Sequence, residues 1–204
     1  VATAAPLPLT TLAALKVAAG ERADDTSIDD YLREIIAAVS AAIVNYLGRS
    51  VATTTYTQVF DIELGQTEWF LEAYPIDSVT SVKVDHNREW PAGSAIDSTD
   101  YVIKSGRARG SIVLLTDEAP GVGVLQVVYV AGMGATTAQL TSGFPEVEAA
   151  CQQWCSAIVK KRKTGPDGQT VSMAGGSVTK EELRMPRAAK DLLDPLKRLG
   201  WGSQ

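Results

Sequence analysis

The stretch that decides the fold is TSIDDYLREIIAAVSAAIVNYLG, residues 26–48. Ile28, Leu32, Ile35, Ile36, Val39, Ile43, Tyr46 and Leu47 recur in it at three- and four-residue steps. That spacing lines them along one face of an α-helix. Thr26 is placed to cap the first turn, with Asp29 three residues on, close to a capping box. Asp29 and Asp30 suit the positive end of the helix dipole, and Gly48 is a natural stop. Ala37, Ala38, Ala41 and Ala42 keep part of the surface small, so a second helix can approach closely. Burying such a face contributes about 1.5–3 kcal/mol per large side chain. This helix supplies architecture and no chemistry.

Before it, residues 1–8 read as a flexible lead and residues 9–19 as a short helix, with Thr10 or Thr11 near its start and Leu12, Leu15 and Ala19 on one side. After it the period changes from helical to alternating. Residues 56–64, 68–71, 79–84, 101–104, 111–116 and 124–130 read as strands, with Tyr74-Pro75 as a break and residues 85–98 as a loop. Ser105-Gly106-Arg107-Ala108-Arg109-Gly110 is a hairpin turn carrying two arginines. Residues 132–143 read as a loop. Pro145 then starts a helix whose apolar stripe is Val147, Cys151, Trp154 and Ile158, with Phe144 as a staple before it. It ends in Lys160, Lys161, Arg162 and Lys163, which suit the negative end of the dipole. Residues 164–185 are rich in Gly, Ser and Thr. A last helix begins near Pro186, and Pro195 should kink or divide it.

Helix, strands, then helix gives an α+β fold: an α-helical bundle with an inserted antiparallel β lobe and a C-terminal helical tail. The expected parts are residues 1–50 (first bundle helices), 51–131 (β lobe), 132–163 (third bundle helix) and 164–204 (linker and C-terminal docking helix).

The totals fit that picture. A chain of 204 residues with 45% apolar residues can bury a sizeable core. The net charge of −5 does not favour nucleic acid or an anionic membrane, and no apolar run is long enough to span a bilayer. The start lacks the basic and apolar blocks of a signal peptide, which points to synthesis in a reducing cytoplasm. Two cysteines, Cys151 and Cys155, one helical turn apart, provide no disulfide framework and read as packing beside Trp154.

Chemistry is scarce. His86, the only histidine, has no ligand-spaced partners around it and reads as a surface residue. Gly175-Gly176 lacks the lysine and preceding strand of a phosphate loop, and no nucleophile elbow occurs. No enzyme, cofactor or metal is expected. Two features leave alternatives open. The run Lys160, Lys161, Arg162, Lys163 is either a solvated helix end or a contact for DNA phosphates, and Arg107 and Arg109 pose the same choice. Leu192, Leu193, Leu196 and Trp201 are either core or a tail that docks into another protein.

The order of segments resembles the head–tail connector (adaptor) proteins of tailed bacteriophages. The resemblance rests on Tyr46-Leu47-Gly48-Arg49-Ser50 at the helix end, on YTQVFDIELGQTEWFLEAYPIDSVTSVKVD at 56–85, and on Gly110 to Leu114 with VVYVAGM at 127–133. It also rests on FPEVEAACQQW at 144–154 and SMAGGSVT at 172–179. The resemblance implies a non-enzymatic structural protein of the virion, made in the host cytoplasm. It would form a ring, twelve copies in such families, beneath the portal protein. The ring would extend the channel for double-stranded DNA and present a surface to a stopper or tail protein. Leu192, Leu193, Leu196 and Trp201 would then dock on the portal. Lys160, Lys161, Arg162, Lys163, Arg107 and Arg109 would face the channel or acidic surfaces. A stopper or tail-completion protein, or a DNA-binding module using the basic run, are the rival readings.

Overall fold

The structure, a computed structural model, describes residues 7–107, 109–164 and 184–197, without the side chains of residues 163 and 164. Among these residues helices and antiparallel sheets form two compact units. One takes in the chain up to residue 52 and from residue 134 on; the other is residues 53–133.

The helical unit is built on α2 (Asp29–Leu47), whose buried stripe is Leu32, Ile35, Ile36, Val39, Ile43 and Leu47. Gly48 ends it at φ 66°, the left-handed conformation a glycine adopts without steric cost. The start differs from expectation. Ile28 holds the cap position, and no side chain caps it, so Thr26 does not form the capping box. Asp29 is engaged otherwise. Its carboxylate lies 2.6 Å from Lys16 Nζ, and Lys16 also donates to the carbonyls of Ala23 and Asp25. Lys16 is 5% exposed on α1 (Leu12–Ala19), so this satisfied ion pair ties α1 to the first turn of α2. Thr11 caps α1, its hydroxyl accepting from Ala14 N–H.

In the β unit, β1 (Thr54–Ile62), β6 (Gly121–Ala131) and β3 (Ile76–Val84) form one antiparallel sheet with β6 central. A second sheet has β5 (Gly110–Leu114) between β2 (Glu68–Leu71) and β4 (Tyr101–Ser105). Their inner faces share one core containing Ile62, Trp69, Leu71, Val82, Ile112, Leu125, Val127 and Tyr129. Tyr129 is fully buried and keeps its hydroxyl satisfied. It donates to Gln58 Oε1 at 2.6 Å and accepts from Ala73 N–H at 3.1 Å. The loop after β3 is organised by Asp85, whose carboxylate accepts from the N–H groups of Asn87, Glu89 and Trp90. Those bonds, Asn87's first, hold its pKa below the usual carboxylate value. The first strand ends at Ile62, two residues short of expectation, and leaves Leu64 in a turn.

The chain re-enters the helical unit at Gly134, which bridges Ala52. A Cβ there would sit 2.8 Å from the backbone nitrogen of Leu140, so only glycine fits that approach. The helix that crowds it, α3 (Thr137–Gly143), lies where a loop was expected. Its signal was local: Thr136 accepts from Gln139 N–H, and Leu140 is the one fully buried side chain. α4 (Pro145–Thr164) comes next and buries Val147, Ala150, Cys151, Trp154, Cys155, Ile158 and Val159. The last helix, α5 (Arg187–Leu193), is short. Pro195 falls in a 3-10 turn, Asp194–Leu196, that closes its C-terminal end.

Candidate functional site

The expected docking residues do not sit on a loose end within the described segment. Ala189, Leu193 and Leu196 fall three and four residues apart and are 0%, 0% and 4% exposed. α5 packs on α4 of the same unit. Leu193 and Leu196 are therefore core residues of this chain as it stands, and Leu192 is half-buried. The physical reason is amphipathicity. A seven-residue helix has too few internal hydrogen bonds to persist alone in water, so it exists by laying an apolar stripe on a neighbour. Trp201 lies outside the described residues.

A polar clasp adds to that seat. Tyr46, near the end of α2, donates its hydroxyl to the Asp194 carboxylate, and Lys197 Nζ lies 4.7 Å from the centre of the Tyr46 ring. Ionising Tyr46 would break that bond and set a phenolate beside Asp194 and Asp191, so its pKa is pushed up to about 12. The neutral phenol is the form the fold prefers. Its contribution is complete below the ordinary value of 10.0 and is lost as pH rises through about 12. Absorbance of the phenolate should show Tyr46 titrating later than an exposed tyrosine, and Asp194→Asn should return it toward 10. Sequence periodicity assigned Tyr46 to the apolar stripe of α2 and gave no sign of this partner 148 residues away.

The basic residues divide between the units. Lys160 and Lys161 are exposed on the last turns of α4. Arg162 is half-buried, its guanidinium 4.5 Å from the centre of the Tyr31 ring, so it pins α4 to the start of α2. The side chain of Lys163 lies outside the described part. Arg107 and Arg109 belong to the β unit, exposed in the β4–β5 hairpin, and Arg109 lies 5.8 Å from the centre of Phe70. Sequence reading missed the group beside them. Glu68 accepts from Ser111 Oγ at 2.6 Å and from Lys104 Nζ at 3.1 Å on the outer face of the second sheet. The Ser111 bond first, then Lys104, holds its carboxyl below the usual value.

Cys151 and Cys155 are fully buried free thiols 3.9 Å apart, and their hydrogen bond with burial raises the Cys155 pKa. A protonated, inaccessible thiol is neither nucleophile nor ligand. His86 is exposed. Among the described residues no group of three His, Cys, Asp or Glu could hold a metal ion, and no helix is long and apolar enough to cross a membrane.

Among the described residues, the polar clusters of each unit tie that unit's own elements together. The chain belongs to the head completion protein family, whose model matches residues 9–199. It is a structural protein of the virion, at the connection of head to tail. No curated protein matches its sequence. Solved structures that share its fold include three from gene transfer agent particles. One chain is from the virion of a native gene transfer agent particle, with TM-score 0.58, 16% identity, and 97% of this chain and 94% of that one covered. A second is from the neck of an empty gene transfer agent particle computed with C6 symmetry, with TM-score 0.57, 16% identity and coverage of 97% and 93%. A third is from the neck of the native particle computed with C12 symmetry, with TM-score 0.50, 18% identity and coverage of 97% and 93%.

Proposed function

We propose that the protein is an adaptor: copies join in a ring under the portal, extend the DNA channel and hold the tail to the head. The family match across 9–199 carries this reading. The C6 and C12 symmetry of the neck structures that share its fold supports the ring. In this reading the helices are the bundle and residues 53–133 the lobe inserted into it. A ring of identical chains needs a heterologous interface, two different patches that meet and close. Leu192, half-buried, and Trp201 face the portal, and Leu193 and Leu196 join them only if α5 leaves its seat. Lys160 and Lys161 line the channel, where DNA must slide and strong phosphate contacts would hinder it.

Heads assembled without this chain should package DNA yet carry no tails in electron micrographs, and purified protein should restore joining. Tailed particles in its absence would overturn the proposal. Binding to portal-bearing heads before any other neck protein marks an adaptor; binding only after another has bound marks a stopper.

A further inference from the structure

Among the described residues, five of the six exposed large apolar side chains of the β unit gather in two places; the sixth, Val59, lies on β1. Strand register puts three at one end. Leu64 lies two residues past Ile62, which pairs with Gly121, next to Val122. Thr67, three residues past Leu64, accepts from Leu114, next to Leu115. Leu64 is 90% exposed, Val122 75% and Leu115 60%. Asp61, Glu63 and Asp117, all exposed, and the half-buried Glu118 neighbour them along the chain, so this end is apolar with an acidic rim.

Leu64 is held there by a rigid turn. Gln66 N–H donates to the Glu63 carbonyl at 3.1 Å, and the Gln66 side-chain oxygen accepts from Glu63 N–H at 3.2 Å. Gly65, third in the turn, has φ 77°, as a type II turn requires. A fixed protruding leucine loses little freedom on docking.

The second place is the outer face of the second sheet. Pairing sets Phe70, Ser111 and Lys104 in one row and Glu68, Val113 and Val102 in the next. Phe70 is 38% exposed and Val102 45%. A depression of 420 Å³ opens there, with Phe70, Ser111, Lys104 and Arg109 in its lining. Glu68 is paired with Lys104 and also faces Arg109, whose guanidinium over Phe70 is the charge that an acid arriving at that ring would meet.

We propose that these two patches bind each other between copies: the 63–65 turn of one chain seats in the depression on the second sheet of the next. Leu64 packs on Phe70, and Glu63 faces Arg109. The contact is heterologous, the type that propagates around a ring. It assigns Arg109 to a neighbour and not to DNA. The inference rests on the ring proposed above but names an interface which that reading leaves open.

The test mixes ordinary protein with ¹⁵N-labelled protein at high concentration and applies a zero-length carboxyl–amine cross-linker, which separates links between copies from links within one. The same cross-linker is applied to purified particles. The expected inter-copy product joins Glu63 to Lys104. Leu64→Ser should fold normally, because its side chain is solvated, and should cut that product by at least about tenfold. Arg109→Glu, which removes neither reacting group of that pair, should lower it by about fivefold. Inter-copy links on other surfaces only, no inter-copy links, or indifference to Leu64 would each overturn the contact. The neck reading is judged apart, by whether the chain is present in particle necks at all. If it is present and links elsewhere, the ring stands and this interface does not.

Discussion

Leu193→Ala should free the last helix of the described chain and remove up to about 2–5 kcal/mol, the range for a large buried aliphatic cut to alanine. Leu193 is 0% exposed, in line with Ala189 and Leu196 on the face that α5 lays on α4. The measured loss has a ceiling. α5 is terminal to the core and only seven residues long, so the chain can release it without unfolding α2 and α4. Global stability in denaturant should therefore fall by less than the full range. Amide exchange and proteolysis should accelerate selectively over residues 187–196. Leu192→Ala, at a half-buried position, should do much less. The pair separates two ways of docking on a portal. If α5 must leave its seat to dock, Leu193→Ala lowers the cost of leaving, and binding to portal-bearing heads should hold or strengthen. If α5 docks from where it lies, Leu192→Asp alone should abolish binding with the fold intact. A Leu193→Ala protein with unchanged exchange at 187–196 would show that the stripe does not seat the helix.

The same helix shows what a sequence discloses and what it withholds. Periodicity reports which side chains share a face, and it marked most of the buried stripes of α2 and α4, because apolar residues at helical spacing have one geometric meaning. It does not report what the face meets. Leu193 and Leu196 facing a partner and facing α4 give the same pattern, and α4 supplies the partner within the chain. The strands were legible for a similar reason, and their ends were less so. Register with β6 ends β1 at Ile62, and that placed Leu64 in a turn, where it becomes a surface feature. α3 went unread because seven residues carry barely two helical turns, too short for a period, and only the Thr136 cap marks it. The Tyr46–Asp194 clasp, the Lys16–Asp29 pair and the Arg162–Tyr31 stack join residues far apart along the chain. Such pairings arise from packing, and no local spacing encodes them. Of the candidate site residues, the basic ones were found by composition alone. Their division into Arg162, engaged in packing, and Lys160 and Lys161, exposed to solvent, required coordinates.

Trp69→Ala should be the costliest single change in the β unit, about 3–5 kcal/mol. The side chain is 4% exposed in the core shared by the two sheets. Its indole N–H donates to the Asp61 carbonyl at 2.8 Å, near the end of β1, so one residue fastens β2 to the other sheet. β2 has only four residues and pairs on one side, with β5, so its hold on the other sheet rests on Trp69, Leu71 and the bonds of Glu72 and Ala73 just after it. Trp69→Phe separates the two contributions. It keeps most of the apolar volume and removes the donor, so its cost should fall to about 0.5–1.5 kcal/mol, that of one hydrogen bond whose acceptor water can still reach. Unfolding in denaturant followed by circular dichroism reads both, with the slope unchanged if the native state stays compact. The outer face should report the damage as well. Glu68 and Phe70 flank Trp69 and point the other way, so a slackened β2 displaces the carboxylate that Ser111 and Lys104 hold. In Trp69→Ala the Glu68 carboxyl should therefore titrate closer to its ordinary value, upward from its lowered position, as seen by NMR. In Trp69→Phe it should stay low. A Trp69→Ala protein that unfolds at the same denaturant concentration and keeps Glu68 depressed would mean that the indole does not join the two sheets.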